Sequence, residues 1–197
     1  MKALHYSNQV DLLLSVLGNF VEYPEIALKG GTAINLFLLN MPRLSVDIDL
    51  TFLPILPREE TLRSITNVFE QAQEKILKRQ DLRAEIKCTK DGIPKQMLIR
   101  KNDTTVKVEI NLILRGAVYE PSISPISKNA LDQYGKEMSV RCLSFEDLYA
   151  GKFCAALDRQ HPRDLFDIYY FNKKYELTER LKNAFIVYLL SSNRPVH

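Results

Sequence analysis

The 197-residue sequence contains no tryptophan, three histidines and three cysteines. Two of the histidines, His5 and His197, lie close to the ends of the chain, and His161 is the one in its interior. Zinc sites and Ser–His–Asp triads need histidines in specific places, and this small set nearly excludes both. Any transfer or hydrolysis carried out by this chain must therefore depend on carboxylates and cations.

The cysteines, Cys88, Cys142 and Cys154, are odd in number and show no CxxC spacing. This pattern predicts free thiols in a reducing compartment. Long apolar segments are also missing, because the longest runs, 34–39 and 184–190, fall far short of the about 20 residues of a membrane span. The first residues lack the apolar core of a signal peptide. We therefore expect a soluble, cytoplasmic protein without a membrane partner.

The composition is that of a folded protein, with 46% hydrophobic and 26% charged residues, which excludes disorder and low complexity. The net charge of +3 is unevenly distributed. Residues 1–73 carry 5 basic and 8 acidic side chains, whereas residues 74–115 carry 11 basic and 6 acidic ones. The middle segment is either a set of solvated strand faces or a weak polyanion-facing surface.

Hydrophobic periodicity predicts an α+β fold with strands in its first part. The turn signal at 91–94 predicts that the two runs beside it form an antiparallel hairpin. The Pro- and Ser-rich segment 120–129 indicates a loop. The predicted strands are 26–29, 44–52, 83–90, 95–101, 105–114 and 138–143.

The predicted helices surround these strands and make up the end of the chain. Ser144 is the predicted N-cap of the first helix of the last part, with Asp147 three positions on. We assign residues 1–130 to a mixed α/β domain and residues 131–197 to a C-terminal helical domain. The predicted helices are 6–20, 33–39, 58–79, 145–159, 163–174 and 178–191.

A glycine pair separates the first predicted strand from the helix that follows it. Gly30 and Gly31 would let the backbone approach a ligand closely, and the helix start behind them offers free N–H groups to phosphate. Thr32 adds a hydroxyl at the cap position. The alternative is a tight turn with a threonine cap, the commoner arrangement for an isolated Gly-Gly-Thr.

Two carboxylates stand two residues apart in the next strand. Asp47 and Asp49 project from one face of it, because side chains at i and i+2 share a face. Paired carboxylates suit Mg²⁺ or Mn²⁺, and such ions can stabilise the attacking and leaving oxygens of a phosphoryl displacement. The alternative is an exposed strand face with two solvated acids.

A third carboxylate, Glu109, alternates with the apolar residues Val108 and Ile110 in a strongly β-patterned run. It would complete a carboxylate triad if its strand neighbours the strand of Asp47 and Asp49. An ordinary solvent-facing glutamate is the alternative.

The helical end of the chain contains one lysine in an apolar setting. Lys152 lies among alanine, glycine and phenylalanine residues, where an ammonium group needs an anionic partner. Arg163 and Asp167 are four residues apart and could simply pair along their helix. Asp164 lies between them in the sequence.

Together these pieces resemble the AbiEii/AbiGii toxin family of the DNA polymerase β-like nucleotidyltransferase superfamily. The resemblance rests on Lys29–Ala33, on Arg43–Asp49, and on Lys152 with Arg159 and Arg163–Tyr169, in that order and at suitable spacing. It implies a small mixed sheet flanked by helices as the catalytic domain, followed by a helical part.

The resemblance also implies roles for individual residues. Those that bind the nucleotide would be Lys29, Gly30, Gly31, Thr32 and Ser45.

The metal ligands would be Asp47 and Asp49, with Glu109 as third carboxylate. Lys152 would contact phosphate, and Asp164 or Asp167 would complete the catalytic site.

The activity so implied is a Mg²⁺- or Mn²⁺-dependent transfer of a nucleotidyl group from an NTP to an acceptor such as the tRNA 3′ end, with release of pyrophosphate. A cognate antitoxin and a role in abortive infection are implied as well. The alternatives are a protein or small-molecule acceptor, or a non-catalytic nucleotide-binding module. The resemblance further leads us to expect a shortened helical part, since family members continue beyond this length.

Overall fold

The computed structural model describes residues 2–191, with side chains from His5 onward. These residues form two compact units. The first contains the described residues up to Gly116 together with Ile123–Cys142, and the second contains Ala117–Ser122 together with the described residues from Leu143 onward. The predicted domain boundary at residue 130 stays a prediction. Residues 192–197, the end of the expected shortened part, lie outside the described residues.

The first unit is built from a mixed sheet and helices. Its strands are β1 (Ile26–Lys29), β2 (Asp47–Phe52), β3 (Arg83–Cys88), β4 (Pro94–Lys101), β5 (Thr104–Ile110), β6 (Ser122–Pro125) and β7 (Ser139–Cys142). Its helices are α1 (Lys2–Val21), α2 (Gly30–Thr32), α3 (Arg58–Leu77) and α4 (Lys128–Tyr134).

The strand order across the sheet is β3-β4-β5-β2-β1-β7-β6. β2 lies at the centre, antiparallel to β1 and parallel to β5. β3 and β4 form the antiparallel hairpin that the turn signal predicts, with Gly92 at a φ of +78° in the turn. Three strands from distant parts of the sequence are therefore neighbours at the middle of the sheet.

The core of this unit lies on the apolar face of the central strands. Leu28 of β1, Leu50 of β2 and Val108 of β5 are fully buried. In α1 and α3, Phe20 and Phe69 are also fully buried and meet edge to face at 6.1 Å between ring centroids. Because side chains alternate along a strand, the intervening residues of the central strands project from the other face.

Two parts of the first unit differ from the expectation. The predicted loop 120–129 contains β6 and the start of α4. β6 is an edge strand, where Pro125 is tolerated because its missing N–H leaves no ladder bond unmade. The predicted helix 33–39 is a π-helical segment, Ala33–Leu38, that continues α2, and its end bonds Leu39 N–H to the carbonyl five residues back.

The second unit contains three helices with side-chain caps at their N-termini. Ser144 caps α5 (Phe145–Arg159), as the sequence predicts, and Thr178 caps α7 (Glu179–Leu190). The ring of His161 accepts a hydrogen bond from the backbone of Arg163 at the start of α6, which spans Pro162–Lys174. The interior histidine therefore serves as a helix cap.

A buried carboxylate connects the two chain segments of the second unit. Asp147, 1% exposed, accepts hydrogen bonds from the backbone N–H of Val118 at 2.8 Å and of Tyr119 at 3.0 Å. It also accepts one from the Ser144 hydroxyl at 2.6 Å. The two backbone bonds hold the segment Ala117–Ser122 against α5.

The expectation of free thiols is confirmed, since Cys88, Cys142 and Cys154 are all unbridged. Burial raises the pKa of the Cys142 thiol to about 12 and that of Cys154 to about 11, so both stay protonated and unreactive at neutral pH. Across residues 2–191, no helix combines the length and the apolar character that crossing a membrane requires.

We expect Asp147→Ala to lower the free energy of unfolding by about 3 kcal/mol, because it leaves two part-buried backbone N–H groups without their acceptor. Ser144→Ala, which removes the cap and one donor, should cost about 1 kcal/mol. Urea unfolding of both variants measures the difference. Equal losses would show that the bonds to Val118 and Tyr119 contribute nothing.

Candidate active site

The polar face of the central sheet carries a row of charged side chains across three strands. Lys29 of β1 lies opposite Asp49 of β2, and Asp49 lies opposite Glu109 of β5. Paired positions on neighbouring strands present their side chains to the same face. In the next row, Asp47 lies opposite Lys107. The condition for a carboxylate triad, adjacency of the two strands, is met.

The local sequence explains why these charges gather on one face. The residues alternating with them, such as Ile48 and Val108, are fully buried on the opposite face, and a slip of one residue would bury the charges instead. Asp47, Asp49 and Glu109 are only partly buried. The apolar core thus determines where the carboxylates stand.

Asp49 is the most perturbed carboxylate of this face. Burial raises its pKa, and the negative charges of Asp47 and Glu109 raise it further, while Lys29 acts in the opposite direction. Desolvation is the largest cause of this raised pKa, and the negative charges of Asp47 and Glu109 add to it. This is the electrostatic setting in which a bound cation is most stabilising.

The two lysines of the face differ in their surroundings. Burial lowers the pKa of Lys29, although Asp49 partly offsets the effect. Partial burial alone would lower the pKa of Lys107 as well, but its hydrogen bond to Glu109 and the charge of Asp47 raise it. The Lys107 ammonium lies 2.9 Å from the Glu109 carboxylate. Sequence reasoning did not single out Lys107, whose i, i+2 spacing to Glu109 was the available signal.

Gly30 brings the backbone into contact with the central carboxylate. Its φ is +72°, and a Cβ added there would lie 2.4 Å from Asp49 Oδ2. A side chain at this position would force the Asp49 carboxylate to move. The glycine thus has two separate requirements: a left-handed backbone and the space that the Asp49 carboxylate occupies.

Gly31 is enclosed by two polar groups. A Cβ there would lie 2.8 Å from Ser45 Oγ and 3.0 Å from Arg43 Nη2. The carbonyl of Gly31 accepts a hydrogen bond from Asn35 Nδ2 at 2.9 Å. The second glycine is therefore packed against the segment that leads into β2.

Thr32 links the same turn to β2. Its side chain is fully buried, and its hydroxyl donates to the backbone oxygen of Asp47 at 2.5 Å and lies 3.0 Å from the hydroxyl oxygen of Ser45. The hydroxyl thus has protein partners on the strand that carries the two aspartates. Its evident contribution is to hold the glycine turn in register with that strand.

The remaining predicted residues lie in the second unit, in a buried ion cluster. Lys152 Nζ is 2.8 Å from Asp164 Oδ1 and 3.1 Å from Asp167 Oδ2, and all three side chains are at most 8% exposed. Arg159 Nε lies 2.7 Å from Asp164 Oδ2. Burial acts to raise the pKa of Asp164, but hydrogen bonds from Arg159 and Lys152 outweigh it and lower that pKa to about 2.

This cluster supplies the anionic partners that the Lys152 ammonium requires. They come from α6, twelve and fifteen residues further along the chain, and no spacing within α5 predicts them.

The carboxylate face has donor groups that suit a metal ion. In the described part of the chain, no three His, Cys, Asp or Glu side chains are gathered as a ready ligand set. The donor chemistry of Asp47 and Asp49 nevertheless fits, because carboxylate oxygens are the ligands Mg²⁺ prefers. The negative charges of Asp47 and Glu109, which act to raise the pKa of Asp49, agree with that fit.

The sequence matches the profile of the family described as "Nucleotidyl transferase AbiEii toxin, Type IV TA system" over residues 11–197. No curated protein matches it. Among solved structures, the nucleotidyltransferase toxin MenT4 from Mycobacterium tuberculosis H37Rv is similar, with a TM-score of 0.71, 17% identity and coverage of 98% of this chain and 68% of that one. At that identity, the similarity shows a shared fold.

Two structures of the antibiotic-resistance factor ANT(2″)-Ia are more distant. They have TM-scores of 0.48 and 0.45 at 18% and 17% identity, and each match covers 92% of this chain and 91% or 97% of that one. Neither similarity is strong enough to show a shared fold.

The match to a family of nucleotidyltransferases, on a chain with an α+β fold, defines the class of this protein as a nucleotidyltransferase. The profile match, which extends over nearly the whole chain, makes the protein a member of the AbiEii toxin family of type IV toxin–antitoxin systems.

We expect Gly30→Ala to lower nucleotidyl transfer on the order of a hundredfold, because the added Cβ must displace the Asp49 carboxylate. Initial rates with labelled NTP measure this. Gly18→Ala, on an exposed helical position with nothing within 4 Å of the new Cβ, is the matched control. It should keep full activity and add about 0.5–1 kcal/mol of stability. Full activity of Gly30→Ala would contradict the packing argument.

Asp49→Asn should be more stable than the wild type at about pH 7.5. The folded-state pKa of Asp49 lies above its unfolded value, so wild-type stability falls as the pH rises through that interval. The difference between the two proteins should shrink toward zero near pH 4, about the ordinary pKa of aspartate.

Urea unfolding in EDTA across this pH range measures the effect. Asp103→Asn, in an exposed turn, should show no such pH dependence. A stability difference for Asp49→Asn that grows as the pH falls would contradict the assignment.

Proposed function

We propose that this nucleotidyltransferase transfers a nucleotidyl group from an NTP to an RNA acceptor such as the tRNA 3′ end. The observation that carries the proposal is the row of Lys29, Asp49 and Glu109 beside the glycine turn. In the reaction, the acceptor hydroxyl attacks the α-phosphorus, its proton is lost, the bond to the β-phosphate breaks and pyrophosphate leaves. Such chemistry needs positioning and charge neutralisation more than a covalent nucleophile.

Asp47 and Asp49 would hold Mg²⁺ or Mn²⁺, with Glu109 as third carboxylate. When bound, such an ion supplies Lewis-acid stabilisation of the attacking and leaving oxygens. Gly30 leaves room for the Asp49 carboxylate, and the bond from Thr32 holds the backbone of Asp47. The strand that carries both carboxylates is thus tied to the glycine turn.

The triphosphate would lie along the glycine turn. Lys29 contributes a positive charge, the backbone of Gly30 and Gly31 a close approach, and Ser45 a hydroxyl. Thr32 would belong to the same binding region, and its buried bonds support a role in holding the turn. Preorganised donors of this kind favour the charge that develops in the transition state.

For Lys152 we propose a phosphate contact. Asp164 and Asp167 hold its ammonium by two short ion pairs, and these two carboxylates would complete the catalytic machinery by fixing that cation. Arg159 binds Asp164 from the exposed side of the cluster.

A cognate antitoxin would act on this toxin, in keeping with the type IV system to which the family belongs. The reaction would take place in the cytoplasm, where NTPs, tRNA and reduced thiols occur together. The free cysteines agree with such a compartment.

Asp49→Asn and Asp47→Asn should each lower label transfer from α-labelled NTP to total tRNA by at least about a hundredfold, because each removes a metal-binding charge. Each of the four NTPs is incubated with Mg²⁺, enzyme and tRNA, and the RNA 3′ ends are then sequenced.

The double variant Asp91→Asn/Asp103→Asn, at two exposed turn positions, makes the same chemical change elsewhere and should leave transfer unaltered. Unchanged labelling by Asp47→Asn/Asp49→Asn would reject the metal assignment. Label on a protein band with no RNA addition would reject the RNA acceptor.

A further inference from the structure

The solvent-facing side of α6 carries large apolar side chains. Leu165, Phe166 and Tyr169 are 50%, 37% and 56% exposed. A single exposed apolar residue is ordinary on a protein surface, but three within five positions of one helix form a patch. The buried side of the same helix, with Phe171, packs inside the second unit.

The charges of α6 are sorted between its two sides. Its acids, Asp164 and Asp167, are 2% and 1% exposed and belong to the buried ion cluster. Its exposed ionised side chains are the cations Arg163, Lys173 and Lys174. The surface that α6 presents to solvent is therefore apolar and positive, with no exposed acid among its own residues.

The aromatic and cationic groups form two rows along the helix, because residues four apart are neighbours. The Lys173 ammonium lies 4.5 Å from the Tyr169 ring centroid, and that of Lys174 lies 4.8 Å from the Tyr170 ring. The rings of Phe166 and Tyr170 are stacked at 6.2 Å with 24° between their planes. The rows, here called the α6 rows, are Leu165–Tyr169–Lys173 and Phe166–Tyr170–Lys174.

We propose that the α6 rows bind single-stranded RNA. Aromatic faces stack on bases without regard to sequence, and lysines one helical turn away neutralise backbone phosphates. This proposal rests on the proposed function in that RNA is the nucleotidyl acceptor there. RNA binding by the α6 rows can nevertheless be measured without catalysis.

The pairing of rings with cations favours RNA over an acidic protein. An acidic protein segment would form ion pairs with Lys173 and Lys174 but would offer no planar ring to stack on Tyr169. In the free protein each ammonium covers a ring face. RNA offers both groups a stronger partner at once, because a base replaces the ammonium on the ring and a phosphate takes the ammonium.

The experiment measures fluorescence anisotropy of a labelled 12-nucleotide oligoadenylate and oligouridylate with the full chain, from 50 to 300 mM salt. Lys173→Glu/Lys174→Glu should weaken binding at least about tenfold at the lowest salt. The slope of log K against log salt should become shallower by about 1.4, corresponding to two lost phosphate contacts on a single strand.

Phe166→Leu/Tyr169→Leu removes the ring faces but keeps apolar bulk and charge. This variant should weaken binding at least about fivefold without a change in salt slope. The matched control is Lys128→Glu/Lys182→Glu, with the same charge change at exposed helical lysines outside α6. It should bind within about twofold of the wild type.

Three outcomes would overturn the proposal: no binding of either oligonucleotide by the wild type, equal losses in the lysine variant and its control, or no effect of the ring variant. In the last case, displacement of the RNA by an oligoglutamate peptide of equal charge would make the surface a general anion site.

Separate measurements of RNA binding and of nucleotidyl transfer distinguish failure of this proposal from failure of the proposed function. Asp49→Asn should bind the oligonucleotides as the wild type does while losing nucleotidyl transfer. If RNA binding by the α6 rows holds but no RNA is labelled, the acceptor proposal fails and the binding surface stands. If RNA is labelled but the α6 variants bind RNA normally, the acceptor proposal stands and RNA binding by the α6 rows is rejected.

Discussion

The contact between the Asp49 carboxylate and the backbone of Gly30 is the constraint on which the active-site face depends. A Cβ at Gly30 would lie 2.4 Å from Asp49 Oδ2, so turn and strand approach each other only because that position carries no side chain. The carboxylate is thereby held where Asp47 and Glu109 repel it and Lys29 attracts it. Burial and these two negative charges raise its pKa, so keeping the carboxylate ionised at neutral pH costs folding free energy.

In Thr32 and in the buried ion cluster of the second unit, polar side chains also hold other groups in place. Thr32 uses its hydroxyl to join the glycine turn to the strand of the aspartates. Asp164 uses both of its oxygens on Lys152 and Arg159. In each case a polar group that could face a ligand instead positions another group, because a buried donor or acceptor without a partner is costly. The burial of Asp164 also leaves the outer side of α6 without exposed acids.

Much of the fold follows from local pattern, and the exceptions have physical causes. The β3–β4 hairpin and the Ser144 cap were predictable, because turn chemistry and capping act over a few residues. β6 was missed because its proline, Pro125, and the Pro121 before it indicate a loop, and a strand tolerates proline mainly at the edge of a sheet. The π-helical continuation of α2 was missed as well, since its apolar residues satisfy a helical pattern of either pitch. The partners of Lys152 come from another helix and left no signal at pairing spacing.

The sequence by itself determined the kinds of group available: few histidines, free thiols, two aspartates on one strand face and a glycine pair before a helix. It also determined the family, because those residues occur in a recognisable order. Only the tertiary structure decided that Glu109 stands beside Asp49, that Lys107 pairs with that glutamate, and that the acids of α6 point inward. Those facts depend on which strands and helices become neighbours. Neighbours are selected by the burial of apolar surface across a whole unit, and a local sequence pattern does not contain that information.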